Sequence, residues 1–154
     1  MDQTKKEILI EMGWIDENAN INDLYDSAMV GVTADTYMPI YDAKKLDEIQ
    51  LPEGETIDVG DGIVMTFGDN IDNILKENEG AIIFEAPSYH DAIIGSTDDG
   101  RIVYDYDKMV ECLCNEDGME SDEAMDFIGY NTFRAMPYFQ PSPVVYMPID
   151  DYID

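Results

Sequence analysis

The stretch DAIIGSTDDGRIVYDYDKMVECLCNEDGMESDEAMDFIGYNTFRAMPY, Asp91 to Tyr138, decides the fold. Ala92 to Thr97 is a short apolar run rich in strand formers, and Arg101 to Tyr106 alternates as a half-buried strand does. Asp99-Gly100 joins them, and Asp-Gly accepts the positive φ that tight hairpin turns demand. After Tyr106 the period shifts toward 3.6, with Met109, Val110 and Leu113 on one face of a helix that begins near Asp107 and ends at Gly118. Ser121 is placed to cap a second helix, with Asp122 and Glu123 facing its positive end, and Pro137 stops it by Met136. Val144 to Met147 supplies a closing strand, so this half reads β-β-α-α-β.

The first half repeats the pattern. SAMVGVTADTYMPIYDAKKLDEI, Ser27 to Ile49, aligns with DAIIGSTDDGRIVYDYDKMVECL, Asp91 to Leu113. Ala28 matches Ala92, Gly31 matches Gly95, Thr33 matches Thr97 and Asp35 matches Asp99. After a one-residue gap, Tyr41-Asp42 matches Tyr104-Asp105, Lys45 matches Lys108 and Glu48 matches Glu111. This self-similarity points to an internal duplication of a ββα unit whose halves pack about a pseudo-two-fold axis. Chance similarity between two hairpin-helix segments is the alternative. Gly31 and Gly95, inside strands, mark a bulge or a close backbone approach.

Around these units, Thr4-Lys5-Lys6-Glu7 reads as a capping box for a short helix with Ile8, Leu9, Met12 and Trp14 on its buried stripe. Lys5 and Lys6 sit badly with that helix's dipole. Ala28 to Thr33 and Tyr37 to Tyr41 read as strands, with Pro39 suggesting a sheet edge, and Asp42 caps a helix to Ile49. Leu51 to Asp61 is a connector, Gly62 to Phe67 a strand, Asp69 the cap of a helix closed by Gly80, and Ala81 to Ala86 (AIIFEA) another strand. The expected architecture is α+β: residues 1–87 and 88–154 form two related ββα-containing halves of one compact mixed-sheet domain, with helices packed on it.

Between them, the strand motif Ala92 to Met109 and the segment Tyr130 to Tyr138 carry a resemblance. They are similar to a family of small acidic proteins found on phages and other mobile elements of gut Firmicutes, whose members carry AIIG-x-T-x-DGR-x-VYDYDKM and, after an acidic helix, YNT-x-RA-x-PY. The resemblance implies a mobile-element setting and a shared fold, and carries over no catalytic residues.

Charge is the outlying property. Thirty-five acidic residues stand against eight basic ones in 154, for a formal net charge of -27. That balance opposes binding to nucleic acid or to an anionic membrane and predicts a basic partner. An apolar fraction of 45% suffices for a core. No apolar run has the length of a membrane span, and the N-terminus lacks the form of a signal peptide, so the expected location is the cytoplasm. Cys112 and Cys114, two apart on a helix, read as reduced thiols.

Chemistry-bearing motifs are sparse. Asp16 to Asn20 has oxygen donors at alternate positions, but Ile21 stands where a calcium loop needs glycine and Ser27 where it needs a bidentate Glu. Cys112 and Cys114 lack the further ligands of a zinc site. The pairs Asp98-Asp99 and Asp105-Asp107 read as turn and helix-start residues, and Gly60-Asp61-Gly62 as a turn. His90, the single histidine, reads as a loop residue. Arg134, nearly alone among acids, reads as ion-paired to a carboxylate one turn away, holding helix to sheet, with Asn131 and Thr132 bonding the hairpin backbone. Met109, Met119, Met125 and Met136 read as core filler. No metal or cofactor is called for, and nothing meets the geometric needs of catalysis.

Three functional classes remain. The first is a non-enzymatic binder whose carboxylates present the anionic pattern of a duplex to a basic, nucleic-acid-binding host protein. Its face comprises Glu116, Asp117, Glu120, Asp122 and Glu123, with Asp69 and Asp72, then Asp16, Glu17 and Asp23, and the tail Asp150, Asp151 and Asp154. The second is a non-enzymatic assembly or adaptor module that pairs strand edges near Pro39 into a dimer. The third is a small enzyme or metabolite-binding domain with a pocket between the repeats involving His90, Tyr104 or Arg134.

Overall fold

The computed structural model describes residues 4–17, 23–57, 59, 62–85, 87–139 and 141–148. The fold is α+β, and its mixed sheet closes on itself: six strands form one barrel. They are β1 (Met29–Thr33), β2 (Pro39–Asp42), β3 (Ile63–Phe67), β4 (Ile93–Thr97), β5 (Ile102–Asp105) and β6 (Val144–Pro148). Around the ring, β1–β2, β3–β4, β4–β5 and β6–β1 pair antiparallel, whereas β2–β3 and β5–β6 pair parallel. Thus β1 and β4 run one way and the other four strands the opposite way. Both parallel pairs need a crossover, and helices supply it.

The helices are α1 (Lys5–Glu11), α2 (Ala43–Asp47), α3 (Ile71–Glu77), α4 (Tyr106–Asp117), α5 (Ser121–Phe127) and α6 (Phe133–Ala135). Thr4 caps α1, and Lys5, an awkward charge for that dipole, donates Nζ–H to Met29 O at 2.8 Å. Asp42 and Asp105 turn strand into helix, accepting from Lys44 N and from Asp107 N at 3.1 and 2.9 Å. Gly118 ends α4 in the left-handed region, as its sequence position requires.

Several local expectations change. Pro39 is not at an edge: it opens β2, pairs with Val32 and lies in a closed ring. Ala81 to Glu85 is not a strand and makes no ladder; Ala86 lies outside the described residues. Asn70, not Asp69, caps α3, accepting from Asn73 N at 3.1 Å. Glu120, not Ser121, is the N-cap of α5, without a side-chain bond. The second helix also passes Met136, because its last turn, Met136–Tyr138, is 3-10 and takes Pro137 in its first positions, where no donor is needed. Met125 is exposed rather than core.

In β1, β2, β5 and β6 burial does not alternate, because both faces are covered, whereas β4 alternates and β3 ends in the exposed Thr66 and Phe67. Val30, Ile40, Met65, Val103, Val144 and Tyr146, with Ile63 and Ile94, form a cluster drawn from all six strands, which is the barrel interior. The opposite faces pack outward in two clusters. Met29, Val32, Tyr41 and Met147 meet Leu9, Tyr25 and Leu46, while Ile93, Ile102, Tyr104 and Val145 meet Met109, Leu113, Ile128 and Phe84. Burying two faces removes the period-two signal, which is why β5, expected to be half-buried, has Ile102, Val103 and Tyr104 all inside.

The two hairpins share their irregularities. Register shifts fall between Met29 and Gly31 in one and between Ile93 and Gly95 in the other. Thr33 Oγ1 accepts from Met38 N and Thr97 Oγ1 from Arg101 N, each at 2.9 Å. Tyr37 takes positive φ in the first turn, where the second has Gly100. At the seams between halves, a Cβ on Gly31 would lie 2.5 Å from Met147 O and against the Tyr146 ring, and one on Gly95 would strike Thr66 O.

Gly95→Ala is therefore expected to lower stability by about 1–3 kcal/mol, since backbone must move. Gly129→Ala, with nothing within 4 Å of the new methyl, should be neutral or stabilising by up to about 1 kcal/mol. Urea denaturation of both variants checks this, and equal stability of Gly95→Ala with the parent would refute the contact. Alkaline pH supplies a second check. Burial, then Asp26 and Tyr25, push the buried Tyr41 phenol up to about 12 from 10.0. The native state then holds a proton that the unfolded state releases, so stability is intact below pH 10 and falls by about 2–3 kcal/mol as pH rises to 12. Tyr41→Phe should flatten that part of the fall.

Candidate functional site

Beyond β5, the outer face of the barrel carries a helical arm, α4 to the 3-10 turn at Tyr138, which builds two features. The first is a cavity. Between α5 and α6 the helix widens into one π turn, Ile128–Thr132, where Phe133 N–H donates to Ile128 O, five residues back. The sequence permits this: Gly129 and Thr132 are weak α-helix formers. The extra residue places Thr132 Oγ1 2.7 Å from the Tyr89 hydroxyl in the core and lets Phe133 stack on Tyr106 with ring centroids 6.1 Å apart. Such π turns recur at functional sites.

Tyr89 faces this turn from a strained backbone, at φ 49 and ψ 32. A bulky residue held left-handed costs on the order of 1–2 kcal/mol. Its ring is buried and edge-on to Phe84, 5.7 Å away, and Phe84 in turn lies 4.7 Å from Tyr104 and 6.2 Å from Phe139. Burial raises the Tyr89 phenol pKa, against the lowering effect of the Thr132 bond. Between these walls is a cavity of about 400 Å³, bounded by Ile82 to Glu85 on one side and Asn131, Thr132 and Ala135 on the other.

The second feature is an acidic ridge. Glu116 and Asp117 end α4, Glu120 caps α5, and Asp122 and Glu123 fill its first turn, all exposed. Asp122 and Glu123 suit the positive end of α5, but Glu116 and Asp117 oppose the negative end of α4, which has no basic residue in its last turn. None of these five, nor Asp69 before α3 or Asp72 in its first turn, has an ion-pair partner among the described residues. Arg101 pairs instead with Asp99, at 3.1 Å. Burial acts to raise the Asp99 pKa, but bonds from Thr97 and Arg101 outweigh it and hold the carboxyl below its ordinary value.

None of the residues expected around a pocket lines this cavity. His90 is exposed, and its neighbour Tyr89 faces the cavity instead. Tyr104 is fully buried and accepts the Phe84 N–H at 3.1 Å. Arg134 is exposed, with its guanidinium 5.2 Å from the Tyr130 ring centre, and no carboxylate pairs with it among the described residues. Asn131 donates to Phe127 O within its own helix, and Thr132 reaches Tyr89 rather than the hairpin. Cys112 and Cys114 are free thiols, the former buried and its pKa raised by that burial. Among the described residues, no three His, Cys, Asp or Glu side chains are placed to hold a metal ion, and no helix is long and apolar enough to cross a membrane. Asp16 and Glu17 are exposed, whereas residues 18–22, the Asp23 side chain, Asp61 and the tail Asp150, Asp151 and Asp154 lie outside the described residues.

Sequence reading missed Glu85 and Tyr89, and gave Thr132 the hairpin backbone as its partner in place of Tyr89. The one available signal was the run of weak helix formers from Ile128 to Thr132, which ordinary helical periodicity hides. No family model, curated protein or solved structure matches the chain. The site's geometry is therefore its own guide.

Thr132→Val is expected to cost about 1–2 kcal/mol of stability, by stranding a buried phenol. Tyr89→Phe alone should do likewise, and the double variant should lose about 1 kcal/mol less than the sum, since neither group is then left unpaired. Additive losses in denaturant titrations would show that the two hydroxyls do not support one another.

Proposed function

We propose that the protein is a non-enzymatic acidic binding protein of mobile-element origin that presents a duplex-like anionic surface to a basic, nucleic-acid-binding host protein in the cytoplasm. The observation that carries this reading is the ridge of Glu116, Asp117, Glu120, Asp122 and Glu123, exposed and without cationic partners among the described residues. The arm from Tyr106 to Tyr138 holds eight carboxylates against Lys108 and Arg134. Carboxylates fixed on short helices hold their spacing, so a basic groove meets a pattern rather than a mobile cloud. Complementary charge of this kind accelerates encounter and selects partners more than it adds contact energy.

The two halves are taken as a duplication. Matching register shifts at Gly31 and Gly95, matching turn bonds at Thr33 and Thr97, and matching helix caps at Asp42 and Asp105 support that origin. Under this reading the second half kept the shared hairpin and helix and acquired the acidic arm. The resemblance of Ala92 to Met109 and Tyr130 to Tyr138 to mobile-element proteins spans that hairpin, the first turn of α4 and the end of the arm.

Immobilised protein exposed to lysate of a gut Firmicute should retain a nucleic-acid-binding protein at low salt. Screening lengths shrink from about 30 Å at 0.01 M to about 3 Å at 1 M, so elution should follow a salt series steeply. A variant with Glu116→Gln, Asp117→Asn, Glu120→Gln, Asp122→Asn and Glu123→Gln should lose the retention, and duplex DNA should compete for it. Retention unchanged in that variant, or none at low salt, would defeat the proposal.

A further inference from the structure

The segment Ala81 to Glu85, AIIFE, has a strand's composition and no strand's partner. Buried main-chain polar groups in folded proteins are almost always paired, and exposed ones are left to water or to a partner. Ala81 N–H donates to Asn78 O and Phe84 N–H to the Tyr104 hydroxyl, each at 3.1 Å. The N–H and C=O groups of Ile83 have no partner among the described residues, and the side chain is 42% exposed. The barrel itself is closed, so no barrel strand is available to pair with this segment.

We propose that Ala81 to Glu85 is a receptor strand, which pairs with an extended cationic segment of the partner protein laid along the groove between it and the π turn. The cationic character rests on the reading of the partner as basic; the pairing rests on the unpaired backbone. Main-chain groups alternate sides along a strand. A partner strand can therefore bond to Ile83 and Glu85 while Phe84 keeps its bond to Tyr104. Alternate side chains of the added strand then point into the cavity of about 400 Å³, where Glu85 supplies a carboxylate and Phe84, Tyr89 and Phe139 supply aromatic wall. A lysine or arginine stem fits such a lining, apolar along its length with charge at its tip. Strand addition takes affinity from main-chain bonds and specificity from alternate side-chain pockets.

The test uses the full chain, labelled with 15N, titrated with an end-capped hexapeptide of alternating lysine and valine and with a neutral counterpart of alternating threonine and valine. The cationic peptide should shift the amides of Ile83 and Glu85 saturably and slow hydrogen exchange at Ile83 at least about tenfold, as a new ladder bond does. Ile83→Pro removes the donor and should weaken binding at least about tenfold. Unchanged Tyr104 and Met109 signals in that variant would show that the fold is kept. Glu85→Gln, at an exposed position, provides a second variant expected to bind more weakly. Shifts confined to Glu116 to Glu123 would overturn the groove proposal while leaving the acidic-ridge reading intact. Equal binding of the neutral peptide would overturn the cationic assignment, and no response to either peptide would overturn the receptor strand.

Discussion

The contact on which the barrel depends is the approach of Gly31 to Met147 O and Tyr146, and of Gly95 to Thr66 O. At these points β1 meets β6 and β4 meets β3, the two seams that join strands of one half to strands of the other. A closed ring of six strands is narrow, and its curvature needs local kinks. Both kinks fall beside these glycines, where the hairpin registers shift. Without the methyl groups the seams come to bonding distance, and the ring closes around the interior cluster of Ile40, Met65 and Val103. Each half thus completes its burial only against the other.

Closure decides where the rest of the chain can put its polar and charged groups. Apart from the exposed Thr66 and Phe67 of β3, most strand residues face the interior or an outer apolar cluster, and the strongly charged residues are left to turns, caps and helix surfaces. Asp42 and Asp105 serve as caps, and Asp99 is held by Thr97 and Arg101. The ridge from Glu116 to Glu123 has no such local role beyond Asp122 and Glu123 at the start of α5. Glu116 and Asp117 stand at the helix end where a cation would stabilise by about 0.3–1 kcal/mol and an anion does the reverse. In the proposed reading, that surface serves recognition rather than folding.

What was legible in the sequence follows the same physics. Turns and caps are local, so Asp99-Gly100, Gly118, Thr4 and Asp42 could each be read from neighbouring residues, and the bulge or close approach at Gly31 and Gly95 from glycine inside a strand. Closure is not local: nothing near Pro39 says whether a sixth strand will arrive to make an edge disappear. The burial of both faces of Ile102 to Tyr104 had the same cause, since alternation reports a one-sided sheet. Ala81 to Glu85 failed in the opposite direction, because strand propensity states what a segment can pair with and not whether a partner exists. The cavity was the least legible part. It depends on a left-handed Tyr89 and one inserted helical residue, neither of which has a distinct pattern, so His90 and Arg134 drew attention while their neighbours Tyr89 and Ala135 lined the space.

In the proposed reading, ridge and groove divide recognition by distance. Charge on α4 and α5 acts over a screening length of about 8–10 Å at ordinary salt, attracts any basic surface and discriminates little among them. Main-chain pairing at Ile83 acts only on contact and requires an extended segment in one register. Both features border the same outer core, in which Ile74, Phe84 and Tyr89 pack with Leu113, Ala124 and Ile128. The Tyr89–Thr132 bond spans that core from the segment after the receptor strand to the π turn of the acidic arm. The groove's two walls are thereby fixed relative to one another before any partner arrives, and a binder whose surface is preorganised loses less conformational entropy on docking. On this view the backbone strain at Tyr89 belongs to the binding function: it is carried in the free protein, offset by the buried phenol's packing, so that the groove is already shaped when attraction brings a basic segment to it.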